Sequence, residues 1–144
     1  MSSIKYEIND LYKYIDKTGL AESEDEYKKY FDLTFEKLDK FDSILANQRY
    51  LTGQDLTDDD IDLYKILIRF DIIFYFAYKL NKKHIWEYKN LFRFEEELYN
   101  NSITKDLNDL DTIKKYFYLF RSNIKNPYHI IPLGGDPRDR FSNK

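Results

Sequence analysis

The groups in this sequence best suited to chemistry are phenols and one closely spaced pair of charges. Tyr116, Phe117 and Tyr118, with Tyr128 beyond them, could present hydroxyls that donate to a developing phenolate, or rings that stack on a ligand. Packing is the alternative use of the same side chains. Arg69 and Asp71 fall inside the most apolar stretch of the chain, where an unpaired charge is costly, so each should have a partner. A structural ion pair or a cap to a neighbouring segment is preferred here over a direct role with substrate. Asp55, Asp58, Asp59, Asp60 and Asp62 have the acidity of a calcium loop, but counting from Asp55 the sixth position is Asp60 and the twelfth Ile66, where that loop needs glycine and glutamate. The cluster reads instead as acidic groups at the positive end of a helix. His84 and His129 are the only histidines and neither has a second histidine at ligand spacing, so no metal site is expected. With no cysteine, the chain has no thiolate nucleophile, disulfide or Cys-type metal site.

The elements that would position these groups are helical. The 144 residues contain 4 glycines and 3 prolines; every proline lies in the last 18 residues, and such sparse punctuation favours long helices. A first helix over about 4–17 carries Ile4, Ile8, Leu11, Tyr12 and Ile15 and ends before Gly19. A second, over about 24–46, repeats Tyr30, Phe31, Thr34, Phe35, Leu38, Phe41 and Leu45 at steps of three and four, with Ser23 and Glu26 as a capping box. The third has the clearest start: Thr57 as N-cap, Asp60 three residues on, Leu56 and Ile61 flanking them as a staple. From Asp62 to Leu80 it is apolar on nearly every side and should be central. Further helices fit about 84–88, 91–100 and 110–122, and residues 127–144 should run extended as a tail. No strand-period segment appears. The expected fold is an all-α bundle over 1–126 with an extended tail packing on it.

A net charge of −3 offers no field for nucleic acid. The longest apolar run, Ile72–Tyr78, is far short of the roughly 20 residues of a membrane span. Met1–Glu7 shows no basic stretch followed by an apolar core, so no leader is expected and a cytoplasmic location is the default. The 18% aromatic content is weak evidence of a binding surface, because an A+T-rich genome would produce the same Lys, Asn, Ile, Tyr and Phe richness.

One series of residues resembles a known family. Arg49-Tyr50-Leu51-Thr52-Gly53, Leu56-Thr57, Asp60-Ile61 and Ile68-Arg69-Phe70-Asp71 look like the C-terminal half of the glutathione transferase fold. More narrowly they resemble the glutathionyl-hydroquinone reductases, relatives of the omega class. Tyr78-Lys79-Leu80-Asn81 is similar to that family's Phe-Lys-Cys-Asn, and Glu87-Tyr88-Lys89-Asn90-Leu91 to its Asp-Tyr-Pro-Asn-Leu. Ile113-Lys114, Phe117-Tyr118, Asn126-Pro127 and Ile130-Ile131-Pro132 resemble its closing Ile-Lys, Tyr-Tyr, Asn-Pro and Ile-Val-Pro. The likeness runs from about residue 8 to 134.

The resemblance implies a helical domain that normally follows a thioredoxin-like domain. In the intact family that domain binds glutathione and supplies a cysteine, which attacks the sulfur of a glutathionyl-hydroquinone; a second glutathione restores the thiol. The present chain is therefore expected to bind no cofactor alone, to hold no catalytic residue, and to keep only the half-site for the aromatic part of the substrate. The candidates there are Tyr118 first, then Tyr12, Tyr14 and Tyr116, with Thr57, Asp60, Arg69 and Asp71 as structural residues. The family's Val-Tyr-Lys-x-Gly-Phe-Ala reads Ile15-Asp16-Lys17-Thr18-Gly19-Leu20-Ala21 here, so Asp16 replaces a substrate-facing tyrosine. Phe117 replaces another. Two versions follow: a split enzyme completed by a separate thioredoxin-like chain, or a non-catalytic interaction and dimerisation module, since the family dimerises through this domain. The split version places an apolar docking face on the first turns of helices one and three, with Tyr64 and the surroundings of Tyr12.

Overall fold

The computed structural model describes residues 3–121 and 125–142. Among these residues six α-helices carry the fold: α1 (Ser3–Gly19), α2 (Glu24–Leu45), α3 (Asp58–Arg69), α4 (Tyr75–Ala77), α5 (Lys89–Tyr99) and α6 (Leu110–Phe120). The described residues contain no regular strand, only an isolated Tyr50–Gly53 bridge. The all-α expectation holds. Residue 122, assigned to the last expected helix, and residues 143–144 of the tail lie outside the described residues.

α1 and α2 form a hairpin across the short 20–23 link, burying Ile8, Leu11 and Ile15 against Phe35, Leu38 and Phe41. α1 runs two residues past its expected end and includes Gly19, where a Cβ would lie 2.5 Å from the Tyr78 ring. Only glycine admits that approach. At the start of α2 the Ser23 hydroxyl accepts from the Glu26 amide at 3.1 Å. α2 and α5 then cap one another. The Asp42 carboxylate accepts from the Asn90 and Leu91 amides at 2.9 Å, at the positive end of α5, while Arg93 of α5 donates to the Leu45 and Gln48 carbonyls where α2 ends.

α3 starts at the expected Thr57 cap, and Asp60 there reaches further than a local box requires. Its buried carboxylate accepts from the Thr57 amide at 2.8 Å and from the Thr57 hydroxyl at 3.1 Å. Its other oxygen takes the Leu51 amide at 2.9 Å, fastening the 46–57 loop to the helix. The expected continuous helix to Leu80 is not what forms. After Arg69 the backbone widens into one π-helical segment, Phe70–Phe74, in which the Tyr75 amide donates to the Phe70 carbonyl, before α4 closes it. Every residue of that segment is buried. The Tyr118 hydroxyl of α6 donates to the Ile72 and Ile73 carbonyls at 3.0 and 3.3 Å, tying α6 to the widened turn.

Asp71, in the same turn, has the expected cap to a neighbouring segment. Its Oδ1 accepts the Ile85 amide at 2.9 Å and stands 2.9 Å from His84 Nδ1. Residues Ile85–Glu87 and Ser102–Leu107 are 3-10 turns, the second not foreseen from the sequence. The tail is extended apart from a 3-10 turn at Pro137–Arg140. It lies back on the core through Phe141, which stacks on Phe92 and meets the Tyr99 ring at a tilt, and through Gly135, whose missing Cβ would collide with the Asp71 carbonyl. Arg140 caps a column of flat groups: Tyr75 on His84 at 3.6 Å, His84 on Trp86 at 3.8 Å, and the guanidinium over Trp86 at 4.7 Å.

Candidate functional site

α1, α3 with its π-helical extension, and α6 enclose a cleft of about 610 Å³. Each wall presents residues one helical turn apart: Ile8, Tyr12 and Asp16 from α1; Asp62, Lys65, Ile66, Arg69 and Ile73 along α3 and its extension; Thr112, Ile113, Tyr116 and Phe117 from α6. Phe74, Tyr78 and Arg121 complete it. The volume and the aromatic lining suit a ring-sized ligand. The widened turn is part of the wall, and π-helical segments are recurrent features of functional sites because the extra residue redirects the side chains that follow.

The structure divides the four tyrosines named from the sequence into two pairs. Tyr12 and Tyr116 line the cleft and are exposed by 52% and 65%. Tyr14, two residues from Tyr12, faces another side of α1 and lies 6.1 Å from the Tyr30 ring beside Lys37 and Lys40. Tyr118 is buried, outside the cleft, with its hydroxyl spent on the π-helical carbonyls; burial raises its pKa. The first-ranked phenol is therefore a structural tie in this fold. Tyr64 is likewise corrected. It is fully buried with its hydroxyl donating to Asn108, so it cannot contribute to an exposed docking face. The first turn of α3 is acidic, with Asp58, Asp59 and Asp60.

Asp16 and Phe117, the positions where tyrosines were expected to be replaced, both line the cleft, and Tyr12 shares the face of Asp16. Desolvation raises the Asp16 pKa and the Arg121 charge opposes it. The Tyr78 hydroxyl is also pushed up, mainly by burial. Of the structural candidates, Thr57, Asp60 and Asp71 are engaged inside the fold as described. Among the described residues no acid forms an ion pair with Arg69. It is half-buried on the cleft wall, and its Nη1 donates to the Lys65 carbonyl at 2.9 Å. Sequence reasoning missed the cleft role of Arg69, together with Lys65, Ile73 and Tyr78. The signal was present in the three- and four-residue steps Ile8–Tyr12–Asp16 and Asp62–Lys65–Arg69–Ile73.

Behind the cleft, the interior holds a second carboxyl. Glu95 of α5 is fully buried with neither oxygen hydrogen-bonded, and Asp71 Oδ2 is unpartnered too. Desolvation, reinforced by the Asp71 charge, raises the Glu95 pKa well above the ordinary carboxylate range. Asp71 is raised by burial as well, against the two donors on its Oδ1. The two donors on Asp71 Oδ1 favour its charged form, whereas Glu95 has no such donor to oppose its burial. Among the described residues no group of three or more His, Cys, Asp or Glu side chains could hold a metal ion, and no helix is long and apolar enough to cross a membrane.

No family model matches the chain. Individual relatives do. The chain is 34% identical over 118 residues to the glutathionyl-hydroquinone reductase YqjG of Escherichia coli, spanning 82% of this chain and 36% of that protein. It is 30% identical over 118 residues to the glutathionyl-hydroquinone reductase PcpF of Sphingobium chlorophenolicum, 82% of this chain and 37% of the relative. The glutathione-bound structure of YqjG superposes with a TM-score of 0.83 at 29% identity, over 96% of this chain and 48% of that one. The xi glutathione transferase ECM4 of Saccharomyces cerevisiae, in complex with glutathione, gives 0.81 at 29% identity, over 93% and 47%. The chain thus spans between a third and a half of the length of these relatives. Its homologues are glutathionyl-hydroquinone reductases and xi-class glutathione transferases, and it has the fold of that family's C-terminal helical domain.

Proposed function

We propose that this chain supplies the aromatic-substrate half of a glutathionyl-hydroquinone reductase-like site. The observation that carries the reading is the cleft itself: rings of Tyr12 from α1, Phe74 from the π-helical segment, Tyr78 just past α4, and Tyr116 and Phe117 from α6 surround a volume of about 610 Å³, in a chain related to proteins named as glutathionyl-hydroquinone reductases. The chain's own residues would hold a hydroquinone ring between apolar walls, with the Tyr12 and Tyr116 hydroxyls available to its oxygens. The 144 residues contain no cysteine, so the thiolate that attacks a glutathionyl sulfur, and the glutathione that restores it, would come from outside them.

The test uses 2-naphthol, a redox-inert ring with one phenol, titrated into the full chain by calorimetry. Saturable one-site binding is expected, weakened by about threefold or more in Tyr12→Ala and in Tyr116→Ala and unchanged in Tyr14→Ala. Absence of binding, or binding indifferent to both cleft tyrosines, would overturn it. A second reading, a self-associating module, draws support from the exposed Phe120, Tyr128, Ile130 and Leu133. Light scattering after size exclusion decides it: a dimer lost in Tyr128→Ser with Leu133→Ser supports the module, and a monomer sinks it.

A further inference from the structure

We propose that Arg69 selects ligands whose ring bears an oxyanion, a carboxylate in the first instance. The proposal rests on the reading of the cleft as an aromatic-ligand site and names the ligand class within it. Among the described residues three cations line the cleft, Lys65, Arg69 and Arg121, and two carboxylates, Asp16 and Asp62. Asp62 lies 4.0 Å from Lys65, one turn along the same helix, and Asp16 lies within the field of Arg121. Each acid thus has a basic neighbour, and Arg69 is left over. Among the described residues no carboxylate forms an ion pair with it; the groups that bear on its charge are the phenols of Tyr12 and Tyr64, and burial opposes that charge.

Helix ends give no alternative account of this arginine. A cation is welcome where a helix ends in free carbonyls, but the chain continues from Arg69 directly into the π-helical turn, which is itself hydrogen-bonded. A guanidinium carries five N–H donors in a planar fork suited to a carboxylate. One of them is used on Lys65. Its neighbours on the wall are Ile66, Ile73 and Tyr12, surfaces for a ring, so an anion reaching Arg69 arrives attached to that ring. A charge-assisted contact in this partly desolvated place is stronger than a neutral one.

The experiment compares 2-naphthol with 6-hydroxy-2-naphthoate, which adds one carboxylate to the same ring, and with glutathione, whose carboxylates carry no ring. The full chain is expected to bind the naphthoate about tenfold more tightly than the naphthol. Arg69→Gln should abolish that preference, so that within the variant the naphthoate binds no more tightly than the naphthol, Arg69→Lys should keep part of it, and Lys65→Gln should keep it within about twofold. Glutathione should show no Arg69-dependent binding. Equal affinities in the unmodified chain, or a preference that survives Arg69→Gln, overturn the proposal while leaving the aromatic cleft standing. Arg69-dependent binding of glutathione also overturns it, assigning the anion to the peptide. If neither naphthalene binds, the cleft reading and the proposal fall together. Circular dichroism of each variant separates loss of binding from loss of fold, and Arg69→Lys serves where Arg69→Gln does not fold.

Discussion

Arg69 and Asp71 stand two residues apart and belong to different worlds. Arg69 faces a cleft open to solvent and to ligands, with a charge that no acid among the described residues answers by an ion pair. Asp71 is closed inside the protein, where two donors answer one of its oxygens and the other is buried without a hydrogen bond. The difference teaches that burial does not identify function by itself. The deeply buried charge is structural because its donors are part of the fold, whereas the half-exposed one waits for a partner the fold does not provide.

The comparison breaks first at Asp71. Asp71→Ala removes the acceptor for the Ile85 amide and for His84, and should lower stability by about 3 kcal/mol in urea unfolding, while Arg69→Gln should leave the midpoint nearly where it was; equal losses would erase the distinction. Tyr118→Phe comes next. Deleting the hydroxyl that holds the Ile72 and Ile73 carbonyls should cost about 1 to 2 kcal/mol without altering 2-naphthol affinity, and a loss of affinity in a fully folded variant would return Tyr118 to the site.

The smallest effect sharpens the interior half. Glu95 has a raised pKa in the folded chain, so folded protein binds more protons than unfolded above the ordinary carboxylate range, and this group's contribution to stability falls as pH rises towards the folded value. Glu95→Gln does not titrate there. Its stability relative to the unmodified chain should be nearly level at acid pH and improve by on the order of 1 kcal/mol by pH 8. A pH-independent difference would mean that Glu95 is ionised alongside Asp71.

How much of this was legible depended on how local each signal was. The α3 start was readable because Thr57 and Asp60 meet within one turn, although the reach of Asp60 to Leu51 was not. The π-helical turn was hidden by its own composition: from Phe70 to Ala77 almost every side chain is apolar, so the hydrophobic period that marks a register was saturated. Asp71 was foreseen to need a partner, but His84 and Ile85 stand 13 and 14 residues away. The tyrosines show the same limit. The family resemblance ranked Tyr118 above Tyr12, and only the packing of α6 on the widened turn reveals which phenol is spent. The family was legible because ordered short motifs survive where individual site residues have changed.

The column of Tyr75, His84, Trp86 and Arg140 has an optical consequence. Trp86 is the only tryptophan in the chain, and it is sandwiched between an imidazole and a guanidinium brought by the tail, away from the cleft. Its emission therefore reports whether the tail is seated, and Arg140→Ala should change it without touching ligand affinity. Quenching by an added naphthalene would signal movement of the tail, and cleft occupancy has to be followed by heat or by the tyrosines.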